Sequence, residues 1–340
     1  MNRWTRVAIT RPSCAPSVGR SFDVQDGLLA MRKPLETTRR GQLRLSRSGV
    51  HWFDRSTGLN VLLDDVPVPQ DMWHLAPRYL SIALTNACEL RCVFCYAPKR
   101  PARLPADRVI GWLVELDENG CLGVGFGGGE PTAHPQFVDL CERTAGQTNL
   151  AVTFTTHGHR IDKPMAARLR GNVNFIRVSM DGVGGTYERL RGRAFSEFRL
   201  KLDVIASICP FALNVVINKA TVDELDEVAE FARAVGAREL LLLPQQPTST
   251  VAGIDYDSSK RFEDWVKRAP RQVPLAISEA GASPMLGLAD PYADEPAVEA
   301  HAHIDAEGLL KQNAYSPAGV RIRGSVLGAI RELRDREGTT

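Results

Sequence analysis

The chain has 340 residues, 44% of them apolar and 24% charged, with a formal net charge of +2. That is enough apolar material for one large α/β domain with attachments or for two modest domains, and it excludes a generally disordered chain. The small net charge argues against nucleic acid as a partner, and no run approaches the roughly 18 apolar residues of a membrane span or the core of a secretory signal.

Residues 1–50 hold ten Lys/Arg against three acids. Such an excess reads as a solvated terminus, with an arm for an acidic partner as the alternative. Residues 1–77 form a β-rich N-terminal extension: Gln42–Ser46, Val50–Asp54 and Leu59–Leu63 are β-formers separated by Ser48-Gly49 and Ser56-Thr57-Gly58, and a linker follows at Val66-Pro67-Val68-Pro69.

From Tyr79 strands and helices alternate. The strands are Leu80–Leu84, Leu122–Phe126, Leu150–Thr155, Phe175–Met180, Leu213–Ile217 and Glu239–Leu243. Between them, helical spacing recurs at Val109, Trp112, Leu113 and Leu116, at Phe137, Leu140 and Cys141, over 163–170 and over 196–208. Thr221 and Glu224 have capping-box spacing before a helix with Leu225, Val228, Ala229, Ala232 and Val235 on one face, ended by Gly236. Six βα units in series imply a parallel sheet flanked by helices, with strands that read as near-continuous apolar runs. Residues 78–250 are therefore the core. In residues 251–340, which are expected to cover it, Phe262 and Trp265-Val266 mark a helix, His301–Ile304 and Leu309–Tyr315 a hairpin, and Val326, Leu327, Ile330 and Leu333 a last helix.

The seven cysteines are odd in number, and three lie together in Cys88-Glu89-Leu90-Arg91-Cys92-Val93-Phe94-Cys95, directly after the first strand of the core. This argues for metal-binding thiols in a reducing compartment, with the cytoplasm as the expected location. Three thiolates on a four-iron cube leave one iron open to a small molecule, unlike a closed Cys₄ electron carrier. The spacing fits neither zinc-ribbon knuckles nor the bacterial ferredoxin run. The competing assignment is a three-cysteine zinc site with His134 or His157 as a distant fourth ligand.

The motif Cys-x₃-Cys-x-aromatic-Cys, with Phe94 as the aromatic, resembles the signature of radical S-adenosylmethionine (SAM) enzymes, and the resemblance continues in register from Tyr79 to about Pro247. Gly127-Gly128-Gly129-Glu130-Pro131 after the second strand is similar to the family's GGEP segment, whose glycines let backbone approach a ligand. Thr155-Thr156-His157-Gly158 resembles its Thr-Asn-Gly with His for Asn, and Ser179-Met180-Asp181-Gly182 its Ser-x-Asp-Gly. All fall at the carboxyl ends of successive strands, as do Asn218 and Gln245.

The resemblance implies a partial (β/α)₆ barrel. It also implies one [4Fe–4S] cluster on Cys88, Cys92 and Cys95, and SAM held by Phe94, Gly128, Gly129, Glu130, Pro131, Thr156, Ser179, Asp181, Arg191 and Asn218. Glu130 would take the amino group, while Arg191 and Arg193 could reach a carboxylate. A flavodoxin or ferredoxin would supply electrons, and a 5′-deoxyadenosyl radical would abstract hydrogen from substrate. No cysteine follows Cys209, and Asn313 stands where the SPASM or twitch extensions of peptide-modifying relatives would carry one. No auxiliary cluster is therefore expected. Cys121, Cys141 and Cys209 read as buried structural thiols, whereas Cys14 sits in an apparently flexible segment where a hydrogen donor is conceivable. Three functions are open: a maturase of a ribosomally made peptide, an enzyme of amino acids, nucleosides or sugars, and a non-catalytic Fe–S or zinc protein.

Overall fold

The computed structural model describes residues 3–4, 41–248, 251–268, 273–278, 292 and 295–337. Cys14 and most of the basic N-terminal stretch lie outside them. The chain divides into two compact units, Met1–His74 and Leu75–Thr340.

In the first unit, β1 (Arg3–Trp4), β2 (Gly41–Ser46), β3 (Gly49–Asp54) and β4 (Leu59–Leu63) form one sheet in the order β1-β4-β3-β2. Two residues join β2 to β3, and Gly49 takes φ +104° there. A Cβ at Gly49 would fall 2.1 Å from the Leu63 carbonyl oxygen, so the expected turn at Ser48-Gly49 needs its glycine.

The second unit is built on six parallel strands in chain order: β5 (Tyr79–Thr85), β6 (Gly123–Gly128), β7 (Ala151–Thr156), β8 (Phe175–Ser179), β9 (Phe211–Ile217) and β10 (Leu240–Pro244). Helices α1 (Ala106–Glu118), α2 (Phe137–Gln147), α3 (Lys163–Leu169), α4 (Gly184–Arg191), α5 (Phe195–Ala206) and α6 (Leu225–Ala234) connect them, and α7 (Tyr256–Arg268) follows β10. Beyond β10 the sheet gains β11 (Leu275–Ile277). Beside β5 it gains β12 (His301–Ile304), β13 (Leu309–Lys311) and β14 (Val320–Arg321). Residues 301–321 thus add three strands to the sheet. The sheet ends at β11 and β14 without closing, so the barrel is partial. The short α8 (Ala297–Ala300) precedes β12, and α9 (Val326–Glu337) follows β14. No helix among the described residues is long and apolar enough to cross a membrane.

Side chains alternate across each strand. Leu80, Ile82, Phe126, Val152, Phe154, Val178, Leu213, Val215 and Leu242 are buried in the core shared with the helices. Many of their neighbours on the opposite parity are small or polar (Ser81, Gly125, Gly127, Thr153, Thr155, Ser179 and Asn214), while β9 and β10 keep Val216, Leu241 and Leu243 there. The strands are therefore less uniformly apolar than a sheet covered on both faces requires, and the inner wall is left to something other than helices.

One local expectation fails. Thr221 and Glu224 form no capping box. Thr221 Oγ1 donates to the Val216 carbonyl at 2.6 Å and accepts the Asn218 N–H at 3.1 Å, so a 3₁₀ turn at Val222–Glu224 leads into α6 instead. The far end behaves as its glycine predicts. Gly236 takes φ +72°, and Ala237 N–H reaches back to the Ala232 carbonyl at 2.9 Å in a Schellman closure. A helix the sequence reading does not identify is α4, which opens on the glycine pair Gly184-Gly185.

Candidate active site

The cysteine loop leaves β5 and is held down by backbone. Asn86 N–H donates to Ala102 O at 3.0 Å, and Cys95 N–H to Cys92 O at 3.1 Å. The Cys88, Cys92 and Cys95 thiols are free and half-buried. Cys95 lies close enough to influence both others: burial first, then Glu130, Glu89 and Cys95, push the Cys88 thiol up to about 11. Burial also raises Cys92, opposed by the Arg191 guanidinium, whose NH1 is 3.5 Å from its sulfur. The other described cysteines are elsewhere. Cys121 and Cys141 are fully buried, and Cys209 is half-buried at the start of β9, burial pushing it to about 12.

The glycine segment after β6 packs against this loop. Gly129 N–H donates to Thr85 O at 2.7 Å and Glu130 N–H to Ala87 O at 2.8 Å. A Cβ on Gly128, whose φ is +123°, would lie 2.3 Å from Thr85 O, and one on Gly129 2.5 Å from Ala87 O. These two glycines thus admit the cysteine loop's own backbone. Only Gly127 has open space at its Cβ position.

Glu130 is almost wholly buried and caps the 3₁₀ turn Pro131–Ala133, with Pro131 at its first position. Its Oε1 accepts the Thr132 N–H at 3.2 Å, the Thr132 hydroxyl at 2.6 Å and the Thr156 hydroxyl at 2.7 Å, while Oε2 accepts the His157 N–H at 2.9 Å. Four donors therefore fix the carboxylate, and they fall unevenly, leaving acceptor capacity on Oε2.

His157 Nδ1 accepts the His159 N–H at 3.1 Å, which places the ring proton on Nε2. Nε2 then sits 3.3 Å from both Glu89 Oε1 and Glu130 Oε2, shared between two carboxylates and aligned on neither. Burial raises the Glu89 carboxyl, but its own loop amide, His157 and Arg160 outweigh that and hold it below the usual range. Cys88, Glu89 and His157 do converge within 4.8 Å of one another. The histidine presents N–H rather than a lone pair to that space, however, which disfavours the zinc assignment. His134 is excluded as a fourth ligand because both ring nitrogens are used, one 2.9 Å from Leu104 O and the other accepting Gln136 N–H at 3.1 Å.

Across the rim, Asp181 is buried in the left-handed region with φ +55°. Its Oδ1 accepts Val216 N–H at 2.6 Å, and Oδ2 pairs with the Arg191 guanidinium. Burial pushes this carboxyl up against the pull of Arg191 and the amide. Arg191, a candidate for a ligand carboxylate, shares its charge with Asp181 and lies 5.7 Å over the Phe94 ring. Asn218 is tied locally as well. Its Oδ1 accepts Ala220 N–H at 2.8 Å and its Nδ2 donates to Gln245 Oε1 at 2.9 Å, so it shapes the turn after β9 and ties it to the end of β10.

Besides His157 Nε2 and Asp181 Oδ2, which lie in ion pairs, two buried polar atoms here have no partner. Arg191 Nε is a buried donor and Asn214 Oδ1 a buried acceptor, both without hydrogen bonds among the described residues. Asn214 is paired in register with Ser179, whose hydroxyl makes no described hydrogen bond. Sequence reasoning passed over Asn214, although a polar residue at inner parity in Phe211-Ala212-Leu213-Asn214-Val215-Val216-Ile217 was a readable signal.

Residues 82–232 match the family model of the radical SAM superfamily. The chain carries a radical SAM domain. Members of this family are enzymes that use a [4Fe–4S] cluster and SAM. The mycofactocin maturase MftC of Mycobacterium tuberculosis is 27% identical over 290 residues, covering 76% of this chain and 73% of that protein. The PqqA peptide cyclase of Gluconobacter oxydans is 31% identical over 173 residues, 47% of each. Among solved structures, Streptococcus suis SuiB bound to its precursor peptide SuiA matches with a TM-score of 0.68, covering 86% of this chain and 87% of that one at 13% identity. At that identity the likeness speaks for the fold alone.

The residues present fit both cofactors. Three thiols on one loop match a cluster with an open iron. An amino acid bearing a nucleoside would give Arg191 Nε–H a carboxylate and Asn214 Oδ1 a hydroxyl, the two partners this rim lacks.

Proposed function

We propose that this chain is a radical SAM enzyme that modifies a ribosomally synthesised peptide. The observation that carries the proposal is the length of the match to the mycofactocin maturase. It extends well past the radical SAM domain itself, over 76% of this chain. The small, polar inner wall and the unclosed sheet support it, since they leave room for a bulky substrate beside Gly127.

When bound, the cluster and SAM supply one-electron cleavage of a carbon–sulfur bond and hydrogen abstraction by the resulting carbon radical. The chain's own residues do the rest. Cys88, Cys92 and Cys95 hold the cluster. Glu130, preset by Thr132, Thr156 and His157, offers Oε2 to an ammonium group. Arg191, steadied by Asp181, offers Nε–H to a carboxylate, and Ser179 with Asn214 offers hydroxyl partners. Phe94, Gly128, Gly129, Pro131 and Asn218 shape the walls and turns around these groups. Electrons come from a flavodoxin or ferredoxin, and the free thiols suit a reducing cytoplasm.

The test is anaerobic reconstitution followed by incubation with dithionite, SAM and each short peptide encoded beside its gene. We expect about four irons per chain, release of 5′-deoxyadenosine, and a mass change in one peptide. Deoxyadenosine release with every peptide unaltered would remove the peptide substrate in favour of a small molecule. A chain that binds only zinc would remove the cluster.

A further inference from the structure

Arg191 ends α4, an eight-residue helix that nothing in its own sequence caps: Val183 stands at the N-cap position and supplies no side-chain acceptor. So short a helix is marginal alone and depends on its pins. One is at its far end, where Gly192 closes it in the left-handed region with its N–H on the Glu188 carbonyl at 2.8 Å. A second is aromatic, Tyr187 packing on Phe198 at 4.7 Å and Phe195 at 5.4 Å between ring centroids. The pin at the N-terminus comes from a different βα connection. Glu224 Oε2 accepts Val183 N–H at 3.2 Å, and Oε1 accepts the Thr186 hydroxyl. The same hydroxyl accepts from Arg189 NH2 at 3.0 Å.

The fit around this carboxylate is close. Gly182 has φ +102°, and a Cβ there would lie 2.5 Å from Thr186 Cγ2 and 3.2 Å from Glu224 Oε2. Asp181 just before it is the one non-glycine residue with positive φ among the described residues, and its carboxylate is itself tied to β9 through Val216 N–H. The turn from β8 into α4 is thus gripped twice from β9 and the segment following it. Because α4 is about 12 Å long, a tilt of about 10° at its start moves its last residue by about 2 Å. That is enough to take the Arg191 guanidinium out of its place beside Asp181, Phe94 and Cys92.

We propose that Glu224, which sequence spacing would assign to its own helix, is the positioning residue for Arg191. It fixes α4 so that the guanidinium meets the carboxylate of the bound amino-acid cofactor. The proposal rests on the radical SAM site described above but not on the identity of the substrate.

The test uses the reconstituted full chain and SAM alone, and compares Glu224→Ala, Glu224→Gln, Thr186→Val, Arg191→Ala and the Glu224→Ala/Arg191→Ala double variant. The readouts are SAM dissociation constant, iron content, the change in the reduced cluster's EPR spectrum on adding SAM, and hydrogen exchange of the amides over 183–191. Loss of two hydrogen bonds to a charged acceptor should weaken SAM binding about five- to twenty-fold in Glu224→Ala, with iron content kept and the amides over 183–191 exchanging faster. Glu224→Gln should fall between it and the wild type, because one carbonyl oxygen remains to accept. In the Arg191→Ala background, Glu224→Ala should cost less than about two-fold more, since both act through one contact.

Equal costs in the two backgrounds, or unchanged SAM affinity in Glu224→Ala, would overturn the proposal. If Glu224→Ala does not fold, Thr186→Val removes the donor at nearly constant volume and must show the same loss and the same non-additivity. A wild-type chain that holds its cluster but binds no SAM would instead refute the reading of the site as a SAM site.

Discussion

Three consecutive glycines offer a controlled test of how the cysteine loop is held. Gly127→Ala, Gly128→Ala and Gly129→Ala add the same methyl group to three different surroundings. At Gly128 the methyl would enter 2.3 Å from Thr85 O with φ at +123°. The left-handed backbone costs a non-glycine residue about 1–2 kcal/mol, and forcing apart packed backbone adds about 1–3, so about 2–5 kcal/mol in all. At Gly129 the backbone angle is ordinary, but Ala87 O and Asn86 O stand 2.5 and 2.6 Å away, which is worth about 1–3 kcal/mol. At Gly127 nothing lies within 4 Å, and the reduced freedom of the unfolded chain favours alanine by about 0.4–1 kcal/mol. For a domain of this size each kcal/mol moves Tm by about 2–4 °C. Differential scanning fluorimetry of the apo chain should therefore order the variants Gly127→Ala ≥ wild type > Gly129→Ala > Gly128→Ala. Iron uptake should fall in the last two, because the displaced backbone belongs to the loop carrying Cys88. If Gly127→Ala proved the least stable of the three, the packing described for this segment would be wrong.

The other expectations are narrower. Cys92→Ala should lose iron and deoxyadenosine release together, while Cys209→Ser, on the opposite rim, should keep both; iron analysis beside product chromatography distinguishes them. His303 is buried with Nδ1 2.7 Å from Ser81 Oγ, and burial, then His301 and Lys311, hold it down to about 4 against the opposing pull of Asp305. Its folded pKa lies below the unfolded 6.5, so the native state binds fewer protons. Its contribution is complete above about pH 6.5 and is lost as pH falls toward about 4. Urea midpoints measured across that window should drop less steeply in His303→Gln than in the wild type.

The βα alternation was legible because short, largely apolar strand runs such as Leu240–Leu243 alternate with helices whose apolar residues repeat at 3.6 residues, and both signals survive in isolation. What escaped was set by partners distant in sequence. Gly184-Gly185 gives no helical signal of its own, and α4 is pinned there by Glu224, which accepts Val183 N–H and the Thr186 hydroxyl from 38 residues beyond Thr186. The Thr221/Glu224 spacing is correct for a capping box, yet the box loses because the Thr221 hydroxyl is taken by the end of its own strand and the Glu224 carboxylate by the turn after β8. Spacing reports what a side chain can reach locally and is blind to competing offers.

The strand-end motifs show the same limit within the site. Glu130, Thr156 and Asp181 were singled out as ligand contacts, yet each already spends hydrogen bonds on the protein. Thr156 gives its hydroxyl to Glu130 at 2.7 Å and accepts Gly158 N–H at 2.9 Å. A motif residue that serves its neighbours cannot be told from one that serves a ligand by its identity alone. The two atoms left over, Arg191 Nε and Asn214 Oδ1, can be. A buried donor and a buried acceptor without protein partners cost the fold free energy, of the order of 1–3 kcal/mol each, that a bound molecule or an ordered water with complementary groups would return. The unsatisfied remainder thus points to the ligand more sharply than the motifs do. It also draws attention to Asn214, which no motif carries and which pairs in register with Ser179.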